Sequence, residues 1–419
     1  AVHRWIVGRS KVCDDAGMSK SLLEQLHDEI EAARQRVYAV REATPLERVD
    51  IGSDVEVWVK REDIPPIHAY KWRGAYNKMA TLTPEARGRG VVCASAGNHA
   101  QGVAIAATKL GCHATIFMPE PTPLMKRQSV ALHGGSNVTV ELVGDTYDDA
   151  SDAAKAFAAE QGAAFVHPYD DLATMGGQGT IAVEVIDEGV GPFDVAYLQI
   201  GGGGMAAAVG AWLKKHIPGI KIIGVEGEGQ ASMKAAVEQG GTVRLDDLDI
   251  FCDGTAVRRA GELTYELCKE VVDEFITVSN EEVCNAIRLF WEDRRRIVEP
   301  AGAMGLAGML KHREQLQGKR VLGVMCGANM DFAQLAVIAA EAGIGGQMRK
   351  HIRFEIGEQA GTMLSLIDNA LAGCNIVDFQ YGKTNETTGT PVIGFDAAPE
   401  VIAQVHQHCI QAGIAYQDI

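Results

Sequence analysis

The sequence predicts an α/β protein with mainly parallel sheets, followed by a small α+β module. Three observations carry this. Short β-branched runs alternate with helical stretches from about residue 22 to 340. One continuous apolar strand, "VAYLQI", runs straight into four glycines and a helix. After the Gly-rich "EAGIGGQMRK" (341–350) the pattern becomes strand, helix, strand, strand, helix.

Taken in order, "SKSLLEQLHDEIEAARQRVYAV" opens on serine and places Leu22, Leu26, Ile30, Ala33 and Val37 at helical spacing. Strands are expected at "VEVWVK" (55–60), "VVCAS" (91–95), "ATIFM" (114–118), "NVTVELV" (137–143), "AAFVH" (163–167), "VAYLQI" (195–200), "KIIGVE" (221–226) and "VLGVMC" (321–326). Helices are expected over 98–109, 146–161, 174–189, 205–216 and 281–292. Their alternation indicates parallel sheet covered by helices on both faces. Beyond the junction come "HIRFEI", a helix carrying Leu364 and Ile367, "IVDFQYG", "TPVIGFDA", a helix over 399–412, and a possible fourth strand in "IAYQDI".

The 419 residues suffice for two or three domains, and the composition, 47% hydrophobic and 22% charged, is ordinarily globular. A net charge of −16 without a Lys/Arg block argues against nucleic acid or an anionic membrane as the main partner, and no apolar run reaches membrane length. Nine scattered cysteines form no C-x-x-C pair, so reduced thiols in a cytoplasmic compartment are expected rather than disulfides. Zinc spacing and H-E-x-x-H are absent, and "HQHC" (406–409) reads as a polar helix face, so no metal site is expected. Residues 1–20 read as a tail whose apolar run is too short for a secretory signal; an organelle-targeting remnant is the weaker alternative.

Three strand ends draw attention. Gly201, Gly202, Gly203 and Gly204, followed by Met205 at a helix start, let backbone amides approach an anion, and the helix dipole favours it. A phosphate cradle explains four glycines better than a tight turn. Gly201-x-Gly203-x-x-Ala206, with Glu226 ending the next strand, also fits a loose dinucleotide fingerprint, which keeps a NAD-dependent oxidoreductase in contention. In "VVCASAGNHAQG", the residues Ser95, Ala96, Gly97, Asn98 and His99 suit a carboxylate at a helix N-terminus, while Ser95 or Asn98 suits equally a plain N-cap. Cys326 ends a third strand; a buried cysteine is ordinarily packing, but here it would face the same cleft. Finally, "HAYKWRGA" sets Lys71 between Tyr70 and Trp72, where a lysine alone would be read as snorkelling.

Together and in order, "HAYKWRGA", "SAGNHAQG", "GGGGMAA", "DGTAVRRAGELTYEL", "RRIVEPAGAMGLAG" and "MCGANMDF" resemble the fold-type II (tryptophan synthase β-like) pyridoxal-phosphate enzymes. Within them the chain is similar to the threonine dehydratases (threonine deaminases), with serine dehydratases and serine racemases as near relatives. The resemblance covers about residues 22–340, and the last residues are similar to a single ACT-like regulatory domain. It implies a catalytic domain over 21–342 with a smaller subdomain at roughly 65–165, and an ACT-like domain over 348–419.

The resemblance also implies roles. Lys71 would hold pyridoxal 5'-phosphate as a Schiff base and act as the base at the substrate Cα. Gly201 to Met205 would bind its phosphate, and Asn98 its ring hydroxyl. The Ser95–His99 loop would hold the substrate carboxylate, and Cys326 would sit opposite the pyridine nitrogen. The substrate would be threonine or serine, with 2-oxobutanoate and ammonia as products from threonine. Isoleucine would be the effector, and a homodimer or homotetramer the assembly. A non-enzymatic amino-acid sensor is the remaining alternative. Ala69 and Tyr70 depart from the family's usual serine and phenylalanine before the lysine, and Ser232 stands where a metal-binding relative would carry aspartate. Arg73 reads as a structural ion pair; Glu299 either orients residues near the cofactor or caps the helix that follows.

Overall fold

The computed structural model describes residues 20–51, 54–345 and 349–419. The expected tail, except Lys20, lies outside the described residues, as do Cys13 and the centre of the Gly-rich junction. The chain divides into two compact units. One comprises residues up to Val278 together with Arg296–Asn329; the other comprises Ser279–Arg295 together with Met330–Ile419.

The first unit opens with α1 (Leu22–Tyr38), started by a reciprocal capping box between Ser21 and Glu24. It buries Leu26, Ile30, Ala33 and Val37, the stripe that the spacing predicts. There follow β1 (Leu46–Val49), β2 (Glu56–Arg61), α2 (Trp72–Thr81), α3 (Pro84–Gly88), β3 (Val91–Ala94), α4 (Asn98–Leu110), β4 (Ala114–Met118), α5 (Leu124–Gly134), β5 (Val138–Leu142), α6 (Tyr147–Gln161) and β6 (Ala164–Phe165). The chain continues through α7 (Leu172–Asp187), β7 (Val195–Gln199), α8 (Gly204–His216), β8 (Lys221–Gly227), α9 (Ser232–Gln239), α10 (Glu262–Val271) and β9 (Glu274–Val278). After α11 (Asn280–Arg294), which belongs to the second unit, α12 (Pro300–Lys311) and β10 (Arg320–Met325) complete the first.

Two sheets result. The larger has the order β1-β2-β10-β7-β8-β9 and is parallel except for β1 against β2. The smaller, β5-β4-β3-β6, is parallel throughout. Strands β3, β4 and β7 are buried at every residue, which is why they read as unbroken apolar runs rather than alternating ones.

The expected strand "AAFVH" shrinks to Ala164–Phe165. Val166 still donates to the Val92 carbonyl at 2.8 Å, but its own carbonyl turns to His99, and Pro168, lacking an N–H, cannot extend the ladder. Strands β1 and β9 lie outside the expected set: they are the two edges of their sheet, and each is short, with only Leu46 and Val49 buried in β1 and only Ile276 and Val278 in β9.

In the second unit, α13 (Gln334–Gly345) precedes β11 (Arg349–Gly357), α14 (Thr362–Ser365), β12 (Asn375–Gln380), a hairpin of β13 (Lys383–Asn385) and β14 (Thr388–Gly389), β15 (Val392–Asp396), α15 (Pro399–Ala412) and β16 (Ala415–Asp418). The main strands form an antiparallel sheet in which β15 lies between β12 and β11, and β16 joins the far side of β11. This is a small α+β domain of βαββαβ order, with Ile352, Phe354, Ile393, Phe395, Val405 and Cys409 as its core. In "HQHC", Cys409 is buried in that core and His406 stacks on Tyr416, so the segment is a helix face.

Candidate active site

Carboxyl ends of parallel strands bring the predicted residues together. Cys326 follows β10 and Gly201 follows the neighbouring β7; Ser95 follows β3 in the smaller sheet.

Lys71 immediately precedes α2. Its approach is fixed by a short antiparallel contact in which Ala69 bridges Gly327, Tyr70 donates its N–H to the Cys326 carbonyl at 3.2 Å, and Ala328 donates to the His68 carbonyl at 2.8 Å. His68 takes φ 49° to make this turn, a conformation uncommon for a residue with a Cβ. The Lys71 amine donates to the carbonyl of Pro168 at 2.9 Å and lies 5.4 Å from the centre of the Tyr70 ring. Lys71 therefore does not snorkel. Burial lowers its pKa to about 8, with Cys326 opposing in part, so a free amine is accessible near neutral pH.

At α4, neither Ser95 nor Asn98 caps the helix. The N-cap is Gly97, which has no side chain to offer; Ser95 Oγ accepts instead from the Gly97 N–H at 3.2 Å, and the first helical turn lacks any side-chain acceptor. The plain capping alternative is thereby removed, and the N–H groups of this turn remain available to an anion. Ala96 and Gly97 are half-buried beside it. His99 turns inward: its Nε2 donates to the Val166 carbonyl at 2.9 Å, and burial, aided by Lys71, lowers its pKa to about 3. The ring is neutral, and the His99 backbone alone can serve the loop.

At the glycine run, Gly203 is the N-cap of α8 with φ 91°, again without a side-chain cap. An added Cβ on Gly202 would lie 2.2 Å from Tyr169 Cγ, and one on Gly201 would lie 2.9 Å from the Thr255 backbone. Gly204 packs against the Tyr169 backbone, and Met205 is buried in the large core. The loop after β6 thus joins the constellation: Val166 receives His99, Pro168 receives Lys71, and Tyr169 covers the glycines. Neither Pro168 nor Tyr169 bears a local signal that sequence reasoning could use, since their roles are a carbonyl and a packing surface.

Cys326 is buried, and burial, aided by Glu299, pushes its thiol up to about 12. Two further residues belong to the site. Glu299 is buried, accepts from Asn98 Nδ2 at 2.9 Å and from the Asn329 N–H at 2.8 Å, and burial raises its carboxyl to about 8. Asn329 Nδ2 in turn donates to Asn98 Oδ1 at 2.8 Å. Glu299 thus bonds to two residues of the candidate site, and its side chain makes no capping bond to α12.

Glu226 does not behave as a ribose ligand. It is fully buried, and its two oxygens accept from the N–H groups of Met233 and Lys234 at 2.9 and 2.8 Å, at the start of α9. The dinucleotide reading loses its acidic residue. Arg73 is the structural ion pair expected, in a fully buried network: its guanidinium bonds bidentately to Glu62 (2.8 and 2.9 Å) and Glu184 (2.6 and 3.0 Å), and Lys60 joins Glu184 at 2.5 Å.

An amine at about 8 ahead of α2, together with two helix N-termini that follow strand ends and lack side-chain caps, one of them at a glycine turn, is an arrangement that fits pyridoxal phosphate. The chain belongs to the pyridoxal-phosphate dependent enzyme family, whose pattern it matches over residues 38–327. Among individual proteins, it is 40% identical over 327 residues to the biosynthetic L-threonine dehydratase IlvA of Burkholderia multivorans, covering 78% of this chain and 64% of that protein. It is 36% identical over 375 residues to the IlvA of Staphylococcus saprophyticus, covering 87% and 89%. The chain thus spans less than two thirds of the first relative and most of the second. Among solved structures, the processed form of threonine deaminase isoform 2 from Solanum lycopersicum superposes with a TM-score of 0.73 at 37% identity, over 81% of this chain and 97% of that one. Among the described residues no helix is long and apolar enough to cross a membrane.

Proposed function

We propose that this chain is a pyridoxal-phosphate-dependent lyase that converts L-threonine to 2-oxobutanoate and ammonia. The observation that carries the reading is the Lys71 amine, lowered to about 8 and held by Pro168 where the strand-end loops converge. The names of relatives at 36–40% identity support threonine as substrate.

When bound, pyridoxal phosphate supplies an electron sink for charge developing at the substrate Cα. The residues present fit it. Lys71 carries the attachment amine, and the backbone N–H groups of Gly201, Gly202, Gly203, Gly204 and Met205 would hold the phosphate. Asn98 would donate to the ring oxygen, and Cys326 would face the ring nitrogen as a neutral thiol. The N–H groups of the Ser95–His99 turn would fix the substrate carboxylate. Lys71, freed as a neutral amine, would take the Cα proton; loss of the β-hydroxyl as water and hydrolysis of the resulting enamine complete the balance.

By the same reading, residues 21–342 form the catalytic domain, including α11 and the first part of α13, and the segment 348–419 is an ACT-like module through which isoleucine regulates a cytoplasmic homodimer or homotetramer. Supporting this is the βαββαβ order of that segment.

The deciding test is the absorbance of the protein loaded with pyridoxal phosphate. A band at the violet edge of the visible, lost in Lys71→Ala, with 2-oxobutanoate formed from threonine faster than pyruvate from serine, is expected. A colourless protein that binds NAD would overturn the reading, and isoleucine titration without heat or inhibition would remove the regulatory part.

A further inference from the structure

Asn98 and Glu299 are 201 residues apart in sequence, yet the amide of Asn98 is held at both ends. Its Nδ2 donates to Glu299 Oε1 at 2.9 Å, and its Oδ1 accepts from Asn329 Nδ2 at 2.8 Å. Asn329 is itself fixed, since its N–H donates to Glu299 Oε2 at 2.8 Å and its Nδ2 also donates to the Ile67 carbonyl. Turning the Asn98 amide over would set its oxygen against the Glu299 carboxyl and its NH2 against the Asn329 NH2. The Asn329 contact would then be mismatched, as would the Glu299 contact wherever the carboxyl is ionised, and mismatches between buried polar groups are costly.

The chain is shaped around this carboxyl. A Cβ on Gly327 would lie 2.3 Å from Glu299 Oε1, and one on Gly254 would lie 3.3 Å from it. The glycines of "MCGAN" and "CDGT" thus leave room for the Glu299 side chain, which is only 1% exposed. Its backbone is pinned as well: the Glu299 N–H donates to the Gly327 carbonyl at 3.1 Å.

We propose that Glu299 is a positioning residue: with Asn329 it locks Asn98 in the one amide orientation that points an N–H at the cofactor's ring oxygen. The Asn98 NH2 has two hydrogens, and Glu299 takes one, leaving the other for the ligand. In the opposite orientation Asn98 would present a carbonyl to an oxygen that carries negative charge, which repels it. The inference rests on the role proposed above for Asn98 and adds what enforces its polarity.

A double-mutant cycle on pyridoxal-phosphate binding to the apoprotein, followed by fluorescence, tests it. Above about pH 8, where Glu299 is ionised and both oxygens accept, Glu299→Gln can satisfy only one of the two donors, so it should weaken binding by roughly tenfold, as should Asn98→Ala. The double variant should bind no worse than Asn98→Ala within about twofold, because Glu299 acts only through Asn98. Glu299→Gln should also shift the absorbance band of the bound cofactor in the direction that Asn98→Ala shifts it. Should Glu299→Gln fail to fold by circular dichroism, Asn329→Ala carries the same cycle with the same expectation. An equal loss from Glu299→Gln or Asn329→Ala with and without Asn98 would overturn the positioning role. Wild-type apoprotein that does not bind pyridoxal phosphate at all would instead sink the proposed function.

Discussion

The Lys71 amine and the Pro168 carbonyl meet at 2.9 Å across 97 residues of chain, joining the residue before α2 to the loop after β6. The amine's pKa is lowered by burial to about 8, against about 10.4 in an unfolded chain. Between these values the unfolded protein binds more protons, so the apoprotein should gain stability as pH rises from about 8 to about 10.4, with the desolvation cost fully present below about 8. Lys71→Met should remove that slope and raise the melting temperature of the apoprotein at neutral pH while abolishing dehydration. Melting curves across the pH range check both.

Gly202→Ala directs a methyl group to within 2.2 Å of the Tyr169 ring, which must move and reshape the turn. A loss of about 1–3 kcal/mol in urea unfolding is expected, together with weaker pyridoxal-phosphate binding. Gly241→Ala, with no atom within 4 Å of its added Cβ, is the control and should change neither.

Arg73 and Lys60 together pair Glu62 and Glu184 out of solvent. Arg73→Met leaves two buried carboxylates with Lys60 as the one cation left in this network beside the Thr44 donors, and should destabilise the protein by about 3–5 kcal/mol. The shift of the urea midpoint measures it, and a change under about 1 kcal/mol would contradict the buried geometry.

Burial raises Glu226 to about 7, above the value near 4.3 of an unfolded chain. The folded state therefore holds the extra proton between these values, and this group lowers stability as pH rises from about 4.3 to about 7. Glu226→Gln should flatten that part of the profile, while Glu226→Ala, leaving the Met233 and Lys234 N–H groups without their acceptor, should cost about 1–2 kcal/mol.

Cys326 stays a neutral thiol at neutral pH, a weak partner for a ring nitrogen. Cys326→Asp would set a carboxylate there and hold that nitrogen protonated. Threonine dehydration should fall by about tenfold or more, about 1.4 kcal/mol in barrier, with any racemisation product rising relative to 2-oxobutanoate. Unchanged rate and product ratio would remove the basis for a role of the thiol.

Elements with a strong local signature were legible from the chain alone. The α1 stripe, the buried runs of β3, β4 and β7, the glycine turn before α8 and the α15 helix all stand where periodicity and composition place them. Lys71 was legible only through the ordered company of its motifs, since its own window describes a snorkelling lysine equally well. Edge strands β1 and β9 and the truncated β6 escaped because their hydrogen bonds, not their side chains, define them.

By itself, the sequence determined the segments with strong apolar periodicity and marked three strand ends as candidates for chemistry, because apolar spacing, glycine and capping act within a few residues of each other. Only the tertiary structure decided the partners: Lys71 with Pro168, Asn98 with Glu299 and Asn329, and Glu226 with the first turn of α9 rather than with a ribose. A buried carboxyl or carbonyl leaves no periodic mark in the chain. Its role depends on which donor folding brings within about 3 Å, while the depth of burial decides whether it keeps its proton.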